Sequence, residues 1–182
     1  MLIKENLTNR ISSILLTASD LVYSPLDYQI NNLQIENESQ EYAACTFELN
    51  KLKIKHRLSK ITPTKTGQFV TIWKRDEAGI TTPFTDQDEF DLLIISSNSA
   101  GHSGQFIFPK GILAKHKIIT AKGIEGKRGI RVYPPWDIVI NKQAEKTQQW
   151  QTPYFLQIDI NGNTDLARAK KLIDNGIKQT GF

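Results

Sequence analysis

In TNRISSILLTASDLV, apolar residues at 11, 14, 15, 18, 21 and 22 fall at helical spacing. They predict a helix over 8–22 with Thr8 or Asn9 as its cap. The next stretch, 23–41, is polar and irregular, with Pro25 and three asparagines, and predicts no element. From Tyr42 the period shortens to two. AACTFEL reads as a strand, Asn50-Lys51 as a tight turn, and LKIKHRL as a second strand. In that second strand Leu52, Ile54, His56 and Leu58 point one way, and Lys53, Lys55, Arg57 and Ser59 the other. Thr62-Pro63-Thr64-Lys65-Thr66-Gly67 is a turn by its proline and glycine, QFVTIWKR a third strand, and DEAGITTPFTDQDE a polar loop. FDLLIISS is a nearly continuous apolar run, the pattern of a central strand covered on both faces. NSAGHSG reads as a loop, QFIFP as a strand, KGILAKHKII as a short helix and GKRGIRVYPPW as a strand ended by Pro134-Pro135. Residues 141–151 read as a short helix or structured loop. Residues 160–175 read as a helix with Leu166, Ala169, Leu172 and Ile173 on one face.

This order predicts one α/β (α+β) domain. Its central sheet is mixed, largely antiparallel, of five to six strands, and flanked by helices. The chain of 182 residues is long enough for one domain with a real core. No stretch approaches the roughly 18 apolar residues of a membrane helix. MLIKENLTNR lacks the basic start and apolar run of a secretory signal. The single cysteine, Cys45, cannot form an internal disulfide and lies in an apolar strand, where it reads as a small buried hydrophobe. Together these set the expectation of a cytoplasmic protein. Three histidines at 56, 102 and 116 have no zinc-ligand spacing.

Charge changes the picture more than composition does. The net charge is only +4, but it is arranged in blocks. Residues 51–75 hold eight Lys/Arg and no acid, residues 76–91 hold six acids and no cation, and residues 110–131 hold seven Lys/Arg and one acid, Glu125. Such segregation predicts a surface with a positive and a negative face. Alternation puts Lys53, Lys55 and Arg57 on one face of their strand, and Phe69, Thr71, Trp73 and Arg75 on one face of theirs. Were those strands neighbours, a cation row would lie beside exposed rings. Lys127, Arg128, Arg131, Tyr133 and Trp136, followed by Lys142, Lys146 and Trp150, repeat the combination. Cations neutralise phosphates and release counterions, and rings accept stacked bases. Each ring taken alone reads more readily as core than as platform.

One family matches these stretches in order. Phe47-Glu48-Leu49, the run from Arg57 to Val70, Phe90-Asp91-Leu92, Gly104 to Lys110, Gly126 to Pro134 and Ala144 to Gln151 resemble the MepB-like family of small bacterial proteins. The resemblance covers roughly residues 10–157. It sets the expectation of a single MepB-like domain over 1–158 and a helical extension over 159–182. It implies a core like that of the restriction endonucleases (the PD-(D/E)XK type) and an affinity for nucleic acid.

A nuclease of that type needs carboxylates for a divalent metal and a lysine near the attacking water. Where the pattern acid-x-Lys would stand, this chain has Gln105-Phe106-Ile107, and Lys110 comes three residues late, past a proline. The expectation is therefore a binder without catalytic residues or cofactor. If the chain does cut, Glu48 and Asp91 would hold Mg²⁺ or Mn²⁺ and Lys60 would be the cation. The predicted partner is DNA or RNA, bound with little sequence preference. Arg57, Lys60 and Lys65 would sit on one side, Lys110, Lys127, Arg128 and Arg131 on the other, and Trp73 and Trp136 would stack on bases. Two other readings stay open. One is a protein-interaction module, with a homodimer in which the acidic block of one copy meets the basic face of another. The other is a phosphate pocket, although GKRG lacks Walker spacing.

Overall fold

The computed structural model describes residues 12–178. The first helix, α1 (Ser13–Ala18), is capped by Ser12, whose Oγ accepts the Leu15 N–H at 3.3 Å, and continues as a π-helical turn, Ser19–Tyr23. The expected caps Thr8 and Asn9 lie outside the described residues. Six strands form the central sheet: β1 (Ile30–Ile35), β2 (Cys45–Leu49), β3 (Leu52–Leu58), β8 (Leu92–Ser99), β9 (His102–Pro109) and β11 (Phe155–Gln157), in the order β1-β2-β3-β8-β9-β11. Every pairing is antiparallel except β3 with β8. The sheet is therefore mixed, largely antiparallel and flanked by helices, as the sequence predicts. A second sheet of three strands, β4 (Lys60–Thr62), β5 (Lys65–Thr71) and β10 (Gly129–Val132), has the order β10-β5-β4. A ribbon pairs β6 (Trp73–Arg75) with β7 (Thr81–Pro83). The remaining helices are α2 (Lys110–Lys115), α3 (Lys142–Gln151) and α4 (Leu166–Lys178).

Alternation along β8 sends side chains into two core layers. Leu92 and Ile94 join Leu15, Val22, Phe47, Ile54 and Ile107 beneath α1 and α4. Leu93 and Ile95 join Val70, Ile72, Phe106, Phe108, Ile130 and Val132 beneath the three-stranded sheet. A strand with both faces covered needs apolar residues at every position, which explains the unbroken run in FDLLIISS. Ala169, Leu172 and Ile173 of α4 are buried in the first layer, so the C-terminal helix closes one side of the core. At the far edge, Gly104 lets β11 approach β9. A Cβ there would lie 2.2 Å from the Phe155 ring and 2.6 Å from the Leu156 carbonyl oxygen.

Three departures from the sequence reading bear on the site. Residues 30–35, within the stretch read as irregular, form the edge strand β1. QFVTIWKR is two strands in two different sheets, parted at Ile72, whose N–H donates to the Arg128 carbonyl at 2.9 Å. The third concerns the cation row. β3 and β5 are not neighbours: β3 lies between β2 and β8, and the sheet containing β5 covers the second core layer.

Candidate nucleic-acid interface

Three strands set one row of side chains in register. Lys60 of β4 faces Phe69 of β5, and Phe69 faces Arg131 of β10. Directly opposed residues share a sheet face. The alternate residues Gln68, Val70, Ile130 and Val132 are buried toward the core, so Lys60, Phe69 and Arg131 lie on the outer face. Lys60 Nζ sits 4.8 Å over the Tyr42 ring, and Tyr42 meets Phe69 edge-on at 6.2 Å. Beside this row, α3 and the segment after α2 enclose a cleft of about 610 Å³. Lys65, Lys127 and Arg131 line it together with Phe69, Tyr133, His116 and Trp150, and none of its lining residues is acidic. His116 and Trp150 stack at 4.0 Å with their planes 12° apart. Burial, then Lys115, lowers the His116 pKa, which favours a neutral ring at neutral pH.

Arg131 is fixed from below. Its Nη2 donates to Thr62 Oγ1 at 2.7 Å and its Nη1 to the Gly67 carbonyl at 3.2 Å, which ties β10 to the end of β4 and the start of β5. Among the described residues, none of Lys60, Lys65, Lys127 and Arg131 is in an ion pair with an acid. α3 is held by Asn141, whose Oδ1 accepts the Ala144 N–H at 2.9 Å. Gln151 braces its far end by accepting from the Tyr133 N–H and donating to the Arg131 carbonyl.

The other predicted binding residues sit elsewhere. Arg57 is wholly buried. Its guanidinium donates to Glu36 Oε2 at 2.6 Å and to the His56 carbonyl at 2.8 Å. Its strand face carries the second layer of the fold, so Arg57 is an interior cation and not a surface anchor. Lys110 donates to the Asp86 and Asp88 carbonyls at 3.2 and 2.6 Å, so its ammonium staples that loop. Arg128 is exposed and outside the cleft lining, pairing with Glu125 at 3.0 Å and donating to the Thr81 carbonyl. Trp73 is half-buried in the β6–β7 ribbon with Arg75 over its ring. Trp136 is half-buried too, stacked on His102 at 5.2 Å and edge-on to Phe155 at 5.3 Å, so its ring is already committed to packing.

The nuclease residues are dispersed. Glu48 faces Lys53 across the β2–β3 pair and accepts from Asn32 at 3.0 Å. Asp91 accepts the Lys53 N–H at 2.8 Å, a clip at the start of β8. Both stand at the Lys53 end of β3, whereas Lys60 follows its other end. Among the described residues no three His, Cys, Asp or Glu gather as a metal-ligand group.

At the Gln105 position a buried chain of hydrogen bonds crosses the sheet. The Tyr23 hydroxyl donates to Gln105 Oε1 at 2.8 Å, Gln105 Nε2 donates to Ser96 Oγ at 3.0 Å, and Ser96 Oγ meets His56 Nε2 at 2.9 Å. Cys45 Sγ lies 3.7 Å from His56 Nδ1, and burial pushes its thiol pKa up to about 12, so it is inert. Burial lowers His56 from 6.5 to about 4. The unfolded chain therefore takes up a proton below pH 6.5 that the fold refuses, and stability falls as pH drops from 6.5 toward 4. Between pH 7 and 5 this group should cost about 2 kcal/mol. Urea unfolding at the two pH values checks it, and a wild-type midpoint that does not move would contradict it.

The sequence pattern places Trp150 beside a basic block but gives His116 no role at this site. Their stack joins residues 34 positions apart, and neither carries a periodic signal. Among the described residues no helix is long and apolar enough to cross a membrane.

Comparison with known proteins places the chain. The MepB-like family model matches residues 36–157. A crystal structure of MepB is 39% identical, with a TM-score of 0.69 over 70% of this chain and 86% of that one. A bacterial homing endonuclease covers 94% of this chain and 100% of its own at 12% identity and a TM-score of 0.45, a likeness too slight to argue from. Among curated proteins none matches the sequence. The matched segment runs from Glu36, the partner of Arg57, through β11, and so contains the whole cleft. With the family model and the MepB structure in agreement, the chain belongs to the MepB-like family.

Proposed function

We propose that the protein binds nucleic acid in this cleft, chiefly through phosphate contacts and with little sequence preference. The observation that carries the reading is the lining itself: Lys65, Lys127 and Arg131 converge with four aromatic or imidazole rings and no acid. Among the described residues, five of the eight cations of residues 51–75 are neutralised. Lys53, Lys55, Arg57, Lys74 and Arg75 all pair with carboxylates. A concave site that keeps its positive charge uncompensated attracts a polyanion. Flat rings beside the cations suit bases, because every base has a π-face. No base-reading helix is required, so discrimination between sequences is expected to be weak.

Fluorescence anisotropy with labelled single-stranded and duplex DNA and RNA tests this reading. Binding that weakens linearly in log-log form as salt rises is expected. Absence of binding to all four strands at low salt would sink it.

A further inference from the structure

The loop between β10 and α3 borders the cleft, since Tyr133 at its start and Asn141 at its end both line it. Ile138 and Ile140 in this loop are 82% and 83% exposed, while Val139 between them is half-buried. Such alternation points the two isoleucines outward together. Other exposed isoleucines, such as Ile61, Ile80 and Ile160, stand singly on separate elements, which is ordinary for a protein surface. This pair is the most exposed of the large hydrophobics among the described residues, and its support is firm. The Asp137 N–H donates to the Pro134 carbonyl at 2.9 Å, Gln148 Nε2 donates to the Pro134 and Asp137 carbonyls at 3.0 Å each, and Trp136 anchors the loop against His102 and Phe155. A braced loop presenting two β-branched side chains loses little conformational freedom when they are buried by a partner.

We propose that Ile138 and Ile140 form an apolar wedge that enters between adjacent bases of the nucleic acid held in the cleft. This rests on the nucleic-acid reading of that cleft. The surroundings select the partner. Lys65 and Lys127 line the cleft that this loop borders, and the exposed Lys142 and Lys146 lie on α3, which follows the loop directly, so positive charge adjoins the pair, which suits a polyanion. A concave, ring-lined cleft admits a strand and its bases, whereas a flat lipid surface cannot enter it. Apolar side chains beside cations are the means by which proteins unstack a base step and kink a duplex, and pyrimidine–purine steps yield most easily.

The test uses a short duplex with 2-aminopurine beside a TA step, whose fluorescence rises when the base unstacks. The variant is I138S/I140S. Both side chains are exposed, so the fold is expected to survive, as circular dichroism and Tm would verify. Wild type should raise the fluorescence on binding. The variant should lose that rise while keeping the same salt slope, because the slope counts phosphate contacts and not stacking. Wild-type binding with no rise, or an equal rise with I138S/I140S, would overturn the wedge and leave the nucleic-acid reading standing. No binding by wild type would overturn both. A variant that loses binding to anionic vesicles, with fluorescence on the duplex unchanged from wild type, would assign the pair to a membrane surface instead.

Discussion

Replacing Glu36 by alanine is expected to destabilise the fold by about 3–5 kcal/mol. Glu36 follows β1 and reaches over β3 with both oxygens occupied: Oε2 takes Arg57 at 2.6 Å and Oε1 takes Lys55 at 3.1 Å. The Arg57 side chain is 0% exposed and Glu36 retains 19%, so water screens this pair little. Burial by itself would raise the Glu36 pKa, but Arg57 and Lys55 outweigh it and hold the carboxyl below its ordinary value. Without the carboxylate, two cations face one another in the interior, and the Arg57 Nε already lacks a partner. At this chain length the change is expected to lower Tm by roughly 10 °C, measurable by thermal melting at pH 7. Glu36→Gln should fall between, since it keeps an acceptor and loses the charge. Combining Glu36→Gln with Arg57→Met should recover much of the loss, because a buried ion pair and an apolar replacement are often near balance. A Glu36→Ala loss under 1 kcal/mol would contradict the placement of Arg57 inside. The same carboxylate has a pH consequence. A pKa held low in the fold contributes stability above the unfolded value and loses it as pH falls through the folded one. Acid therefore weakens the Glu36 contact after it has begun to weaken the fold at His56.

The second large effect is on binding. Lys65→Ala with Lys127→Ala is expected to lower duplex affinity about 100-fold near 0.1 M salt and to reduce the salt slope by about two. Each phosphate contact contributes a slope near 0.9, which over one decade of salt is about tenfold. Neither lysine forms an ion pair among the described residues, so removing them leaves no buried charge behind and Tm should hold. Arg131→Ala is a poorer probe because its guanidinium also ties the end of β4 and the start of β5. The control is Lys110→Ala, whose ammonium is engaged by loop carbonyls: it should leave the slope unchanged. Competition anisotropy over a range of salt reads both quantities. A double variant with wild-type affinity and slope would rule out the cleft as the binding site.

The sequence carried the elements whose burial is written in their own period. β8 was legible because both of its faces are covered, and β2 and β3 because theirs alternate. β1 was hidden because four of its six residues are exposed and it lies at a sheet edge, where polar residues mimic a loop. The break in QFVTIWKR was hidden because alternation runs on through Ile72 while the hydrogen bonding changes sheets. For the site, alternation correctly put Lys53, Lys55 and Arg57 on one face of β3, but nothing in a single strand reveals what covers that face. Here Glu36 and the Phe84 ring do. The charge blocks misled for the same reason. Lys53 meets Glu89 and Lys74 meets Asp88, so the basic and acidic segments partly neutralise each other where they meet. Of the cations outside the ion pairs among the described residues, Lys60, Lys65, Lys127 and Arg131 are the ones that the three-stranded sheet and its cleft bring together. Their convergence depends on the register of β4, β5 and β10, which no local pattern encodes.

On the proposed reading, nucleic acid occupies the cleft between the three-stranded sheet and α3. The most direct measurement is an ¹⁵N-labelled amide spectrum titrated with a short oligonucleotide. Shifts concentrated at residues 65–69, 127–133 and 141–151 are expected. Shifts gathered instead around Glu48, Asp91 and Lys110, or none at saturating oligonucleotide, would contradict it.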